Sequence, residues 1–182
     1  IEAHGLARVQ IAGVGSIRYA VSVETEGGHS WGAYGRPNAI ALLARAITAL
    51  EPIMPPVGIQ PKTTMNVGVI SGGRSVNTVA PDAMFELDMR SEDPKALEAL
   101  HVAAKSAMRS ALAGDAQLKL KRIGLRPAAQ MTPSHPLIRT MLDARRGLKL
   151  PAVNLGVGST DANAPMAAGY PATCIGVTQG GE

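Results

Sequence analysis

Five stretches of the chain are predicted to be β-strands: hydrophobic and polar residues alternate along four of them, and residues 64–70 are rich in β-branched side chains. The stretches cover residues 6–12, 17–25, 64–70, 83–90 and 117–122. In the second stretch the apolar residues at 17, 19, 21 and 23 share one face, and the polar residues at 18, 22 and 24 share the other. One face of this sheet should therefore meet water or a partner. Gly13-Val14-Gly15, between the first two stretches, predicts a tight turn that joins them as a hairpin.

Apolar residues recur every three or four positions in two other segments, which predicts amphipathic helices. The first helix is expected over residues 37–50, with Pro37 at its first position, and the second from Pro94 to Gly114. Over residues 15–125 the order is then strand, helix, strand, strand, helix, strand. This order predicts an α+β fold, an open four-stranded antiparallel sheet of the ferredoxin-like type with two helices on one face.

Residues 126–182 carry a different, α/β pattern. A helix is expected over 136–146, a short buried run over 153–157, a short helix near 163–168 and an apolar strand over 172–177. These elements are too few to enclose a hydrophobic core of their own, so we expect them to pack on further parts of a larger domain.

Composition narrows the functional classes. Of the 182 residues, 46% are hydrophobic and 18% charged, which excludes general disorder. The single cysteine, Cys174, excludes an internal disulfide and favours a reducing compartment, so a cytoplasmic location is expected. The alternative is a cysteine-poor periplasmic protein, which would have the same composition. The net charge of +4 comes from scattered basic residues and only 3% of residues are aromatic, so no nucleic-acid partner is expected. No apolar run is long enough to span a bilayer and no leader pattern opens the chain, so no membrane partner is expected.

His29 lies in the segment Gly-Gly-His-Ser, in a loop that links a strand to a helix. An imidazole near solvent can donate a hydrogen bond to an oxyanion that develops in a transition state. The alternative is an ordinary exposed loop histidine. The flanking glycines add weight to the first interpretation, because they let backbone or ligand approach closely.

Two further residues are candidates for binding a carboxylate group. Arg90 ends the polar face of its strand, where its guanidinium could bind a carboxylate through two parallel hydrogen bonds. The alternative is an ordinary ion pair of Arg90 with Asp88 or Glu86. Asn77 could bind a carboxylate from the same side, although an asparagine in such a segment is more often a turn residue.

The turn Gly158-Ser159-Thr160-Asp161 precedes the short helix near residue 163. Its free amides suit an anionic group of a substrate, whereas Thr160 or Asp161 could simply cap the helix.

Glu2 and His4 are two residues apart, which on a strand places both side chains on one face, as metal ligands often require. Two ligands do not complete a zinc site, and His4 is left out of the candidate site. The other two histidines, His101 and His135, are expected to be structural.

Four motifs, taken in order, are more specific together than separately. They are Gly-Gly-His-Ser with a following Pro-Asn-Ala-Ile helix, Gly-Gly-Arg-Ser-Val-Asn-Thr-Val-Ala-Pro, Leu-Asp-Met-Arg-Ser and Gly-Ser-Thr-Asp-Ala-Asn. In these motifs the chain resembles the di-zinc aminoacylase and carboxypeptidase family, which includes acetylornithine deacetylase, succinyl-diaminopimelate desuccinylase, glutamate carboxypeptidase and peptidase T. The resemblance implies that residues 15–125 are a lid, or dimerisation, domain. Residues 1–14 would end an N-terminal catalytic segment, and residues 126–182 would begin a C-terminal one.

The resemblance also implies roles for individual residues. Glu2 matches a carboxylate ligand to one of two zinc ions. His29 matches the lid histidine that reaches the partner subunit's active site and steadies the scissile carbonyl oxygen. Asn77 and Arg90 match lid residues that hold the substrate carboxylate. A glycine-rich loop on the substrate side of the family's site is matched by Ser159, Thr160 and Asp161.

The function implied by this resemblance is that of the lid portion of a zinc-dependent, homodimeric hydrolase acting on the amide bonds of small peptides or N-acyl amino acids. The family's remaining zinc ligands and its glutamate base would lie before Ile1 and after the Gly-Gly stretch at 180–181, so the 182-residue chain alone is expected to be inactive. The alternative is a stand-alone ferredoxin-like module for ligand binding or dimerisation. The pattern of residues 126–182 disfavours it, because such a module has no use for the Gly-Ser-Thr-Asp turn.

Overall fold

The structure, a computed structural model, describes residues 5–176 and divides them into two compact units. Within that range, unit 1 comprises residues 5–16, 91–94 and 126–176, and unit 2 comprises residues 17–90 and 95–125. None of the helices in the described range is long and apolar enough to cross a bilayer.

The described strands and helices follow one another in the order that the hydrophobic pattern predicts, with three short strands added. The strands are β1 (Arg8–Gly13), β2 (Gly15–Glu24), β3 (Gly28–His29), β4 (Thr63–Gly72), β5 (Thr78–Val79), β6 (Asp82–Ser91), β7 (Leu118–Arg126), β8 (Ala129–Gln130), β9 (Asn154–Gly158) and β10 (Cys174–Ile175). The helices are α1 (Ala39–Thr48), α2 (Pro94–Ala111), α3 (Pro136–Gly147) and α4 (Asn163–Ala167), with a 3-10 turn at Glu51–Ile53.

Unit 2 is built on a four-stranded sheet in the order β4-β6-β2-β7. Helix α1 connects β2 to β4 and helix α2 connects β6 to β7, which is the ferredoxin-like arrangement. Residues of both helices share one buried cluster with one face of the strands, so both helices cover the same face. The predicted α+β fold is confirmed.

The buried residues of unit 2 are those that the two-residue period of its strands and the helical period of its helices place on one face. Strand β6 alternates partly buried residues with fully buried ones, Phe85 and Met89 among them. Burying a side chain such as Phe85 contributes about 2–3 kcal/mol relative to leaving it exposed. Helix α1 starts two residues later than Pro37, because the extended Asn38 is its N-cap and accepts hydrogen bonds from the amides of Ile40 and Ala41.

Unit 1 contains a second sheet, in which β1 pairs in parallel with β9 and antiparallel with β8 and β10. Its buried cluster combines residues of β1, α3 and α4 with Met131, which follows β8; the members are Val9, Ile11, Met131, Ile138 and Met166. The α/β pattern predicted after residue 126 is present, with α3, β9, α4 and β10 in the expected order. The burial expected for residues 153–157 is wrong, because this run forms β9 with Leu155 38% and Val157 45% exposed.

The predicted hairpin between the first two strands is wrong, because β1 and β2 belong to different sheets. At the bend between them, Val14 N donates to Gly158 O at 2.8 Å, so the backbone bonds to β9 instead of turning back on β2. Residues 11–13 are buried in succession, the mark of a strand covered on both faces. The alternation identified both strands but not their partners.

Candidate functional site

A two-stranded sheet brings His29 and Asn77 onto neighbouring turns. Strand β3 pairs antiparallel with β5, with His29 opposite Thr78, and Ser30 N donates to Asn77 O at 2.9 Å. The turn needs glycine at position 28, where φ is +134° and a Cβ would lie 2.7 Å from the Cβ of Ala33. The glycines before His29 therefore serve the local backbone that presents the histidine.

The His29 imidazole is exposed, and its own turn fixes which nitrogen carries the proton. Nδ1 accepts a hydrogen bond from the backbone amide of Trp31 at 3.3 Å. Because Nδ1 is the acceptor, the neutral ring carries its proton on Nε2. His29 is thus an exposed histidine at the end of β3, with Nε2–H as its donor.

Asn77 is exposed and belongs to the turn that connects β4 to β6. Its Oδ1 accepts from Ser75 Oγ at 2.8 Å, and Thr78 N closes the turn by donating to Ser75 O at 3.1 Å. Asn77 is therefore the turn residue that the sequence favoured. The contact with Ser75 also fixes the orientation of its amide, which leaves Nδ2 as the donor that can face a ligand.

Arg90 lies at the far end of β6 in a cluster of three charged side chains. Asp88 accepts hydrogen bonds from Arg90 Nε at 2.6 Å and from Arg18 Nε at 2.7 Å. Burial raises the pKa of the Asp88 carboxyl, but hydrogen bonds and charge from both guanidinium groups outweigh it and hold that pKa below its usual value. The two arginines and the ionised Asp88 together leave one net positive charge on the polar face of the sheet.

The structure does not bring Arg90 together with Asn77. Asn77 precedes the start of β6 at Asp82, whereas Arg90 is near the end of the same strand. A strand rises about 3.3 Å per residue, so Asp82 and Arg90 are about 26 Å apart. Within one chain, a single carboxylate group cannot contact both side chains.

The loop at 158–161, in unit 1, holds its three candidate residues differently. Ser159 Oγ accepts from Arg126 Nη1 at 3.0 Å, while Asp161 is fully exposed and 3.5 Å from Arg126 Nη2. Thr160 is 2% exposed, and its Oγ1 accepts from Ala162 N at 3.3 Å. Thr160 therefore supports the start of α4, and Asp161 makes no cap.

Asn163, the first residue of α4, is a functional candidate that sequence reasoning missed. It is fully buried, and its side chain bonds to three backbone segments. A single polar residue in an alanine-rich stretch gave no period to detect. The only available signal was its place at the end of the Gly-Ser-Thr-Asp-Ala-Asn motif.

The family of the chain is decided by the part that carries His29, Asn77 and Arg90. Residues 11–116 match the model of the peptidase dimerisation domain of the M20 family, which covers more than half of the chain. The chain belongs to this family. The match confirms the resemblance seen in the motifs. No curated protein matches the chain in sequence.

Several solved structures share the fold of this chain over most of its length. Aminopeptidase PepT from Bacillus cereus has a TM-score of 0.79 at 20% identity, over 97% of this chain and 48% of that one. A tripeptidase from Staphylococcus aureus has a TM-score of 0.76 at 19% identity, over 97% and 47%. The aminobenzoyl-glutamate utilization protein from Klebsiella pneumoniae has a TM-score of 0.67 at 24% identity, over 90% and 43%. The chain thus spans less than half the length of each.

The metal-binding prediction rests on Glu2, which lies outside the described residues, as does His4. Within residues 5–176 no group of three or more His, Cys, Asp or Glu side chains is placed to hold a metal ion. His101 and His135 have structural contacts, to Tyr19 and to the first turn of α3 respectively.

Proposed function

We propose that the chain is the lid part of a longer, homodimeric and cytoplasmic hydrolase that cleaves amide bonds in small peptides or N-acyl amino acids. Residues 15–125 form the lid, and residues 1–14 and 126–182 are catalytic-domain segments on either side of it. The family match over residues 11–116 supports this proposal, as does the fold shared with proteins described as an aminopeptidase and a tripeptidase. Those proteins are about twice as long, so we propose that the 182-residue chain is inactive by itself.

The observation that carries the proposal is that the lid presents hydrogen-bond donors. His29 offers Nε2–H, Asn77 offers Nδ2–H and Arg90 offers a guanidinium that is partly exposed. Donors of this kind bind a carbonyl oxygen that becomes negative during amide hydrolysis, and they bind a carboxylate. A peptide or an N-acyl amino acid carries both groups.

The length of β6 adds a requirement for two subunits. Because Arg90 is about 26 Å from the start of that strand, one substrate cannot meet it and the His29–Asn77 turns of the same chain. In a two-fold dimer, the His29 and Asn77 of one subunit can meet a substrate that is held by the partner subunit's Arg90. The dimer is then part of the active site.

In this proposal each residue has a separate task. His29 donates to the carbonyl oxygen most strongly when negative charge develops there, so it acts mainly on the transition state. Arg90 anchors the carboxylate already in the ground state, and Asn77 adds a neutral donor beside His29. Zinc, with Glu2 as one ligand, belongs to the proposal as the expected cofactor. Its other ligands and the general base would come from other parts of the longer protein.

Mixed dimers test the division between subunits directly. We expect His29→Ala and Arg90→Ala full-length enzymes to be impaired separately, and to regain activity when they are unfolded, mixed and refolded together. In each hybrid dimer, one site then has an intact His29 from one subunit and an intact Arg90 from the other. Random pairing returns about a quarter of the wild-type activity.

The matched control mixes His29→Ala with Asn77→Ala. Both residues lie at the same end of the lid, so every site of the hybrid still lacks one of them, and no activity should return. If the His29→Ala and Arg90→Ala pair also restores nothing although hybrids form, the two-subunit site is wrong. If the wild-type enzyme hydrolyses no peptide or N-acyl amino acid, the proposed function itself is wrong.

A further inference from the structure

The buried amide of Asn163 joins three segments of unit 1 that are distant in sequence. Nδ2 donates to Val14 O at 2.9 Å and to Pro127 O at 3.0 Å, and Oδ1 accepts from Thr160 N at 3.1 Å. Asn163 is 0% exposed; its bond to Thr160 N is buried and its bonds to the carbonyls of Val14 and Pro127 are partly buried, so removal of the amide would leave the Thr160 N–H without a partner.

The position of these partners gives the contacts their significance. Val14 lies just before the chain leaves unit 1 after Ser16, and Pro127 lies just after the chain returns at Arg126. Thr160 is the buried residue of the loop that contains Ser159 and Asp161. One side chain therefore bonds the 158–161 loop to the segment between β1 and β2 and to the segment between β7 and β8.

The site accepts an asparagine and little else. A Cβ at Gly13 would lie 2.4 Å from Cγ of Asn163, so the side chain fills the space completely on that side. Aspartate would keep the acceptor for Thr160 but lose both donors, and an aliphatic side chain would lose all three bonds. Only a primary amide of this length supplies two donors and one acceptor to these groups.

We infer that Asn163 is a positioning residue, which holds the 158–161 loop in the conformation that meets substrate. This inference rests on the proposed function, in which Ser159, Thr160 and Asp161 meet substrate as the family resemblance implies, whereas the contacts of Asn163 do not depend on it. Asn163 does not touch substrate. It acts through Thr160, whose backbone amide it accepts from, and through the segments that contain Val14 and Pro127.

The first arm of the test uses the full-length protein and measures amide hydrogen exchange. Asn163→Ala should speed exchange of the Thr160 amide by about tenfold or more, because its acceptor is lost. Asn163→Asp keeps that acceptor, so its effect at Thr160 should be smaller. Gly13→Ala should imitate Asn163→Ala by displacing the side chain, whereas Gly156→Ala, with nothing within 4 Å of the new Cβ, is the matched control.

A double variant separates the amide contacts from general damage to unit 1. Once Asn163 is alanine, the new methyl group of Gly13→Ala has space, so Thr160 should exchange as in the single Asn163→Ala variant. If the two substitutions instead add their effects, Gly13 does not act through Asn163. If Thr160 exchange is unchanged in Asn163→Ala, the inference is overturned.

The second arm uses the full-length enzyme and separates KM from kcat. A disordered substrate-side loop weakens ground-state binding, so Asn163→Ala should raise KM by about tenfold, and Asn163→Asp by less. Faster exchange with a wild-type KM would make Asn163 merely structural and would overturn the positioning role. A wild-type enzyme without amide hydrolysis would refute the proposed function, while the exchange arm would still decide whether Asn163 orders the loop.

Discussion

Two asparagines in this molecule show how the same side chain can serve opposite purposes. Asn163 is fully buried, and both its donors and its acceptor are bonded within the chain. Asn77 lies on an exposed turn, and a single contact with Ser75 fixes its amide without using Nδ2. A polar group whose bonds are complete inside the chain sets geometry, whereas one with an available donor can bind something outside it.

The same contrast extends to the regions around these residues. The β3–β5 turns are held mostly by backbone contacts, such as Ser30 N to Asn77 O at 2.9 Å, so the side chains at the tip are not needed to form the turn. The 158–161 loop depends on side chains, since Arg126 binds Ser159 and Asn163 binds Thr160. Substitutions at the tip should therefore change activity without changing stability, and substitutions at the loop should change both.

The largest effect is expected for His29→Ala in the full-length enzyme. Loss of one oxyanion donor costs about 2.7–4 kcal/mol of transition-state stabilisation, or roughly a hundred- to a thousand-fold in kcat, with a much smaller change in KM. His29→Gln, which keeps a side-chain donor, should recover part of this loss. Steady-state kinetics measure both variants. Since His29 is exposed, unfolding free energy should change by less than about 0.5 kcal/mol.

The second effect concerns stability and should appear in unit 1. Asn163→Ala leaves two carbonyls and one amide without their partner, which should lower the unfolding free energy by about 2–3 kcal/mol. Urea unfolding followed by circular dichroism measures the loss. The matched control is Asn66→Ala, because Asn66 is exposed on β4, and we expect it to be neutral. Equal effects of the two substitutions would refute the contrast between buried and exposed amides.

Arg90→Ala tests an intermediate case, since Arg90 is both held by Asp88 and partly exposed. Loss of a charge-assisted contact with the substrate carboxylate costs about 1.5–3 kcal/mol, so KM should rise by roughly ten- to a hundred-fold while kcat changes less. Arg18→Ala is the control, because it removes the other partner of Asp88 at a position not assigned to substrate. If both substitutions raise KM equally, Arg90 acts through the ion cluster and not on substrate.

Much of the fold could be predicted from the sequence, because the periods are strong where one face of an element is buried. The strand at residues 83–90 and the helix from Pro94 were identified within one or two residues at their starts. Strand pairing was harder to predict, because alternation specifies which face of a strand is buried and not which strand lies beside it. The hairpin predicted between β1 and β2 was wrong for this reason. The strands β3 and β5 have two residues each, too few for any period.

The residues of the candidate site could be predicted where they lie in a sequence motif. They could not be predicted where their role depends on three-dimensional contacts. The segments around His29 and Asn77 were found separately, and only the β3–β5 pairing shows that they are neighbours. The separation of Arg90 from Asn77 needed the direction and length of β6. The role of Asn163 depends on Val14 and Pro127, 149 and 36 residues away in sequence, which no local pattern can reveal.

The smallest effect is expected for Asp88→Asn, and its size depends on pH. Burial raises the pKa of Asp88, but Arg18 and Arg90 outweigh it, so the pKa of this carboxyl in the folded chain is below its usual value. A depressed pKa means that the ion cluster contributes stability above the unfolded-state pKa, about 3.9. That contribution is lost as the pH falls through the folded-state pKa.

Since the side chains involved are partly exposed, the unfolding free energy of the wild-type chain should exceed that of Asp88→Asn by at most about 1 kcal/mol at pH 7. Urea midpoints of the two chains, measured from pH 7 to below the carboxyl pKa, should converge at the acid end. A difference that stays constant across that range would show that Asp88 is not ionised in the cluster, and that Arg90 is not held by charge.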